Sequence, residues 1–257
     1  MKFALHIRTG RPEIEVFAGR LQDEIERAGA SIVATGETPE MVLAVGGDGT
    51  MLGAARIAHD WDVPVLGFNL GTLGFLTEAE PEDLAEVVRR LVAGGYEIDE
   101  RLTITASIED NSGVGVNDVV IEKIDSTRLV NLEVVIDGTE FATYRADGLI
   151  IATPTGSTAY SFSAGGPVVD PGVDALVLTP VAAHSLFDRP VVIPAESEIL
   201  VTVRRDRPVR VNVDKTVLGH ITDGDLVRVG RGDRPARFVT FGGKTFPGLV
   251  RDKFGLD

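Results

Sequence analysis

Four stretches of this chain carry residue types and spacings that could do chemistry. The first is "MVLAVGGDGTML", residues 41–52. A hydrophobic run ends in Gly46, Gly47 and Gly49, and Asp48 sits among them. Such loops bring backbone N–H groups close to phosphates, and Gly46, Gly47, Gly49 and Thr50 are the candidate phosphate-binding residues here. Asp48 would repel a bare anion. Its alternatives are a functional carboxylate and a simple helix N-terminus stabiliser in a tight strand-to-helix turn. The loop has neither the Lys-Ser/Thr ending of a Walker A motif nor the G-x-G-x-x-G spacing of a dinucleotide fingerprint.

The second stretch, "GFNLGTLGFLTE" (67–78), follows the next strand and offers Asn69, Thr72 and Phe75 for polar contacts and stacking. In a parallel sheet, loops at the C-terminal ends of adjacent strands face a common crevice. The third, "VNDVVIEK" (116–123), places Asn117-Asp118 before an apolar run and reads equally as a turn and strand start. The fourth runs from Tyr144 to Val169, "YRADGLIIATPTGSTAYSFSAGGPVV". Its long Gly, Ser and Thr segment is unusual for a loop without a ligand. Arg145 and Asp147 could serve a phosphate and a sugar hydroxyl, or form an exposed ion pair. The four histidines are scattered without metal-ligand spacing.

The elements that must position these residues change character along the chain. Up to about residue 96, strands ("KFALHI", "MVLAV", "VPVLGF") alternate with helical patterns. One helix spans about 13–29 with Ile14, Phe17, Leu21, Ile25 and Ala28 on one stripe. A second is expected over about 50–59, and a third from Pro81 to Gly94 with Leu84, Val87, Val88, Leu91 and Val92 on its buried face. This alternation predicts an α/β domain with a Rossmann-like parallel sheet. From about 97, short alternating strands take over: "LTITASI", a hairpin turning at Asp137-Gly138, "EILVTV", "PVRVNV", "DLVRV" and "ARFVTF". They predict an all-β sandwich.

Composition narrows the function. The formal net charge is −14 over 257 residues, which argues against nucleic acid bound through a broad basic surface. No apolar run reaches the length of a membrane span, and the N-terminus lacks a secretory signal, so a cytoplasmic protein is expected. With no cysteine, thiolate chemistry is excluded. Only five of the 25 basic residues are Lys. This pattern fits the surface of a protein from a high-salt cytoplasm, or an ordinary acidic protein from a GC-rich genome.

Taken together, "GGDGT", "NLGTLGFLTE", Asn117-Asp118, "DGLIIATPTGSTAYSFSAGGPVV", "TPVAAHSL" and "FPGLVRDKFGL" make the chain resemble the NAD kinase family. "GGDGT" alone is shared with lipid kinases and phosphofructokinases; the long Gly/Ser/Thr stretch with Asn117-Asp118 is the specific part. The resemblance implies phosphoryl transfer from ATP or polyphosphate to the adenosine-ribose 2′-hydroxyl of NAD, giving NADP, with Mg²⁺ or another divalent cation. It implies domains over 1–96 and 97–235, with 236–257 returning to the first, and a homodimer or homotetramer. By position, Asp48 would be catalytic. Gly49, Asn69, Phe75, Asn117, Asp118, Arg145, Asp147, Thr158, Ala159, Tyr160 and Ser161 would contact NAD. Because the chain ends on the family's terminal motif, no fused phosphatase domain is expected. One departure is Lys215 after Asp214, where Asp-Gly is common, which puts the usual turn in question.

Overall fold

The computed structural model describes every residue except Thr35, Thr72, Leu73, Asp206, Lys244 and Asp257. The chain forms two compact units, residues 1–100 with 236–257, and residues 101–235.

In the first unit the order is β1 (Lys2–Ile7), α1 (Pro12–Arg27), β2 (Ser31–Ile32), β3 (Met41–Val45), α2 (Asp48–Trp61), β4 (Val65–Phe68), α3 (Leu84–Val92) and β5 (Glu97–Arg101). The sheet order is β2-β1-β3-β4-β18-β5, where β18 (Ala236–Thr240) comes from the far end of the chain. The pairs from β2 through β18 are parallel. All residues of β3 and β4 are buried, as in a sheet covered on both faces. Helix α1 begins at Pro12, whose missing N–H costs nothing at that position. It buries Ile14, Phe17, Leu21 and Ile25, each worth about 1.5–3 kcal/mol of transfer free energy.

Two details differ from the sequence expectation. "ARFVTF", grouped by its alternation with the sandwich strands, belongs to this sheet, within the segment 236–257 that the family resemblance assigns to the first domain. Phe238 and Val239, consecutive residues, are both buried, which a strand covered on one face only would not allow. The third helix starts as a short 3₁₀ turn (Pro81–Asp83) and ends at Val92, which is 37% exposed and not on the buried face.

The second unit contains β6 (Ile104–Ile108), β7 (Asn111–Gly115), β8 (Asp118–Lys123), β9 (Val130–Ile136), β10 (Thr139–Ala146), β11 (Gly148–Ala152) and α4 (Tyr160–Ser163). It continues with β12 (Ala175–Val181), β13 (Val191–Pro194), β14 (Ile199–Arg204), β15 (Val209–Val213), β16 (Thr216–Ile221) and β17 (Leu226–Arg231). Two antiparallel sheets, β10-β9-β14-β17-β6-β7 and β13-β12-β11-β8-β15-β16, share one apolar core. The β9–β10 hairpin turns through Asp137 (φ 49°) and Gly138 (φ 75°), the two positive angles of a type I′ turn. An α/β unit and an all-β sandwich are therefore the fold. Helix α5 (Phe246–Phe254) closes the chain and is capped by Thr245, whose Oγ1 accepts from the Gly248 N–H at 3.3 Å. Among the described residues, no helix is long and apolar enough to cross a membrane.

Candidate functional site

In the first unit, buried β3 runs straight into the glycine loop. Gly46 has φ 150°, and a Cβ there would lie 2.4 Å from Thr50 Oγ1, so no side chain fits. Its N–H is spent on the Phe68 carbonyl (3.0 Å), and that of Thr50 on the Gly47 carbonyl (2.8 Å). Helix α2 starts at Asp48. The N–H groups of Gly47, Asp48 and Gly49 have no partner among the described residues, and Gly47 and Gly49 are exposed. Of the expected phosphate-binding residues, then, Gly47 and Gly49 offer backbone donors, while Gly46 and Thr50 shape the turn.

The Asp48 carboxylate reaches across to the second glycine loop. Its Oδ2 accepts from the Phe75 N–H and its Oδ1 from the Leu76 N–H, both at 3.1 Å. A Cβ on Gly74 would sit 2.3 Å from Asp48 Oδ1 and 2.8 Å from Thr77 Oγ1, so Gly74 permits this approach. Thr77 is buried and its hydroxyl has no partner among the described residues. Asn69 is 3% exposed and its amide is used within its own loop, donating to the Gly71 carbonyl and accepting from the Gly71 N–H, both at 3.2 Å. Phe75 is half-buried, its ring 6.2 Å from that of Phe254 on α5, with Lys253 Nζ 5.8 Å from its centroid. Thr72 lies outside the described residues.

In the second unit, Asn117-Asp118 opens β8. The backbone there is held by Asp214, whose carboxylate accepts from the N–H groups of Val116 (3.0 Å), Asn117 (2.8 Å) and Asp118 (3.2 Å). Asp214 is the first residue of a two-residue turn joining β15 to β16, at φ 51°. The turn thus closes with Lys215 in place of the usual glycine. Asp118 is 5% exposed. Burial, then the nearby Asp214 charge, push its carboxyl up to about 7, and Lys215 opposes this.

The "TPTGST" loop stacks on the same turn. Thr153 N–H donates to the Asn117 carbonyl (2.8 Å) and Thr153 Oγ1 to the Val116 carbonyl (2.6 Å). A Cβ on Gly156 would fall 2.0 Å from the Asn117 carbonyl oxygen. Ser157 is fully buried and ties Val169 through both its N–H and its carbonyl. Ser161 also turns inward, bonding Thr179 Oγ1 at 2.8 Å. Thr158 and Ala159 are half-buried, and Tyr160 is 41% exposed. Burial, followed by the charges of Glu122, Asp147 and Asp118, raises the Tyr160 phenol, which marks a carboxylate-lined surface beside its ring.

Arg145 lies exposed on β10, with no ion pair among the described residues. Asp147 pairs instead with Lys123, so the sequence alternative of an Arg145–Asp147 ion pair does not form. The Arg145 strand is tied to a following loop: His184 N–H donates to its carbonyl (2.7 Å), and its own N–H to Ser185 Oγ (3.1 Å). Among the described residues there is no group of three or more His, Asp or Glu that could hold a metal ion. His6 is held below its ordinary value by burial and then by Arg56, and packs against Gly53.

Three residues that build these loops went unrecognised in the sequence: Gly74, Gly156 and Asp214. The Asp-Lys turn drew attention to Asp214 only as an irregular hairpin. Its target lies about 97 residues away, and nothing local announces it.

Residues 25–96 match the ATP-NAD kinase N-terminal domain, and residues 116–241 match the ATP-NAD kinase C-terminal domain. The chain belongs to the NAD kinase family. A NAD kinase of Moorella thermoacetica is 45% identical over 219 residues, covering 83% of this chain and 70% of that one. Among solved structures, the yeast NADH kinase complexed with NADH superposes with a TM-score of 0.85 at 25% identity, over all of this chain and 87% of its own. A NAD kinase from Archaeoglobus fulgidus in complex with ATP shares the fold, with a TM-score of 0.79 at 24% identity over 98% of this chain and 99% of its own. The chain is a phosphotransferase, and its reaction is phosphorylation of NAD by ATP to NADP.

Proposed function

We propose that Asp48 accepts the proton of the adenosine-ribose 2′-hydroxyl of NAD. The hydroxyl oxygen attacks the terminal phosphorus of the donor, the bond to the bridging oxygen breaks, and the leaving nucleotide departs with that electron pair. The observation that supports this is the seating of Asp48. Two backbone N–H groups fix its carboxylate, using about two of roughly four lone-pair positions and leaving the rest to receive a hydroxyl. Phosphoryl transfer needs positioning and charge neutralisation more than covalent chemistry, so a rigidly held acceptor suits it.

The exposed N–H groups of Gly47 and Gly49 take the donor phosphates, favoured by the start of α2. Mg²⁺ fits this donor set as an ion carried on the phosphates. Such ions use one or two carboxylates, and Asp48 is the carboxylate in the loop. When bound, the ion would neutralise phosphate charge.

On the same reading, Asn117 and Asp118 hold ribose hydroxyls. Thr158, Ala159 and Tyr160 meet the nucleoside, with Ser161 supporting them from behind. Arg145, with no ion pair among the described residues, is available for a dinucleotide phosphate, and Asp147 for a sugar hydroxyl. Asn69 shapes its loop for the nucleotide, and Phe75 offers a ring edge. The exposed apolar group of Phe141, Leu186 and Phe187, with the two rings 6.1 Å apart, supports a homodimer or homotetramer. A cytoplasmic location belongs to the same reading.

The test is NADP formation by the purified protein with NAD and Mg²⁺, comparing ATP with inorganic polyphosphate as donor and NADH as alternative acceptor. Formation of NADP that depends on a phosphoryl donor is the expected result. Near-parental NADP formation by a folded Asp48→Asn variant would overturn the assignment of Asp48 as proton acceptor.

A further inference from the structure

An open cavity of about 370 Å³ in the second unit is lined, among the described residues, chiefly by Lys123, Asp125, Arg128, Val130, Arg205 and Arg207. The charge of its described lining residues runs against that of the whole chain, which is −14. In so acidic a protein, surface cations are expected beside carboxylates, and several elsewhere in this unit are, Arg145 being an exception. Arg204 pairs with Glu133 (2.9 Å), Arg210 with Glu122 (2.7 Å), Arg231 with Glu196 (2.5 Å), and Arg228 with Glu198. Arg128 and Arg205 at the cavity have no ion pair among the described residues.

The cavity is also a shaped one. Arg207 donates through Nη1 to the Leu129 carbonyl, which sets the plane of its guanidinium. Lys123 Nζ donates to the Ser126 carbonyl (3.0 Å) and pairs with Asp147. Asp125 is the one carboxylate among the described lining residues, and Thr127 occupies it through N–H (2.8 Å) and Oγ1 (2.7 Å). Arg205 is held at φ 73° by its N–H bond to Asp223 Oδ1 (2.6 Å).

We propose that this cavity binds a compact oligophosphate, a di- or triphosphate group either free or carried on a nucleotide. Planar guanidinium forks match phosphoryl oxygens in pairs, and three of the four cations are Arg. The volume falls in the range of small-ligand sites. A phosphate entering it competes with Asp147 for the Lys123 ammonium.

The experiment is calorimetric titration of sodium tripolyphosphate, and separately ATP, into the full chain at fixed low ionic strength, with NADP present at saturation. The same titrations are run on Arg128→Gln/Arg205→Gln. Both residues are exposed, and neither belongs to the catalytic or NAD-binding machinery proposed above. The expected result is a loss of affinity of about tenfold or more in the double variant, with kcat for NAD phosphorylation unchanged. Arg128→Lys/Arg205→Lys, which keeps the charge, should lose less, and it carries the test if the Gln variant melts early. Parallel loss for both probes assigns the triphosphate group itself; loss for one alone assigns the free or the nucleotide-borne form. Equal affinities of variant and parent for both probes, or no binding by the parent, would overturn the proposal.

Discussion

The loops around Asp48 and those around Asn117-Asp118 solve the same problem in opposite ways. In the first unit, a side chain holds backbone: one carboxylate collects two N–H groups from a second loop and keeps spare acceptor capacity. In the second unit, a carboxylate is again the anchor, but Asp214 collects three N–H groups, and the residue put forward for recognition, Asp118, is pressed into burial beside it. The first arrangement leaves acceptor positions of the Asp48 carboxylate open, as the proposed proton transfer requires. The second raises Asp118 to about 7, so near neutral pH it can both donate and accept. On the proposed reading, the carboxylate held by backbone donors is the reactive one, and the desolvated carboxyl is the recognising one.

The contrast can be broken most forcefully at Gly156. Its Cβ would meet the Asn117 backbone carbonyl at 2.0 Å, and backbone cannot swing aside as a side chain can. Gly156→Ala should cost about 3 kcal/mol, the upper end for overpacking, read as a lowered denaturant midpoint. Gly74→Ala strikes the other region, where the obstacle is the Asp48 side chain itself. Here the fold should survive while kcat falls about 10–100-fold, because the carboxylate loses its N–H partners, worth about 1.5–3 kcal/mol. Equal stability losses in the two variants would erase the distinction.

Asp214→Asn sharpens the comparison. It keeps one acceptor oxygen and tolerates the positive φ, but removes the charge. We expect about 1–2 kcal/mol of lost stability and a weaker NAD KM with kcat nearly intact. The Asp118 carboxyl should titrate lower in this variant, measured by NMR, since the like charge beside it is gone. No change in that titration would remove Asp214 as a cause.

A further effect follows from pH. The folded-state value of Asp118 lies above the unfolded one, so the native state holds the extra proton. Its contribution to stability is present below about pH 4 and is lost as pH rises through about 7. Relative to the parent, Asp118→Asn should gain about 2–3 kcal/mol between pH 5 and pH 8. A constant difference across that range would show that Asp118 is not protonated in the folded protein.

Much of this was legible in the sequence where local patterns suffice. The stripe of Ile14, Phe17, Leu21 and Ile25 is a helix face by spacing alone, and Asp137-Gly138 is a hairpin turn by residue type. What stayed hidden depends on partners far along the chain. "ARFVTF" alternates well enough to pass for a sandwich strand, and only its neighbour β4 makes it a buried parallel one. Gly74 and Gly156 are unremarkable in a run of glycines until the atoms they make room for are known. The bond between the Ser161 hydroxyl and Thr179 was equally hidden, since its partner lies on β12.

The central claim is that Asp48 works as a proton acceptor and does more than tie two loops together. Asp48→Asn separates the two roles. Asparagine at a helix start is tolerated and its oxygen can still accept an N–H, so a loop tie alone would be largely preserved. The measurement is turnover to NADP at saturating Mg-ATP and NAD, taken with NAD affinity and thermal melting of the same variant. The account predicts a folded protein that binds NAD with turnover reduced by about two to four orders of magnitude. A folded variant with near-parental turnover would contradict it.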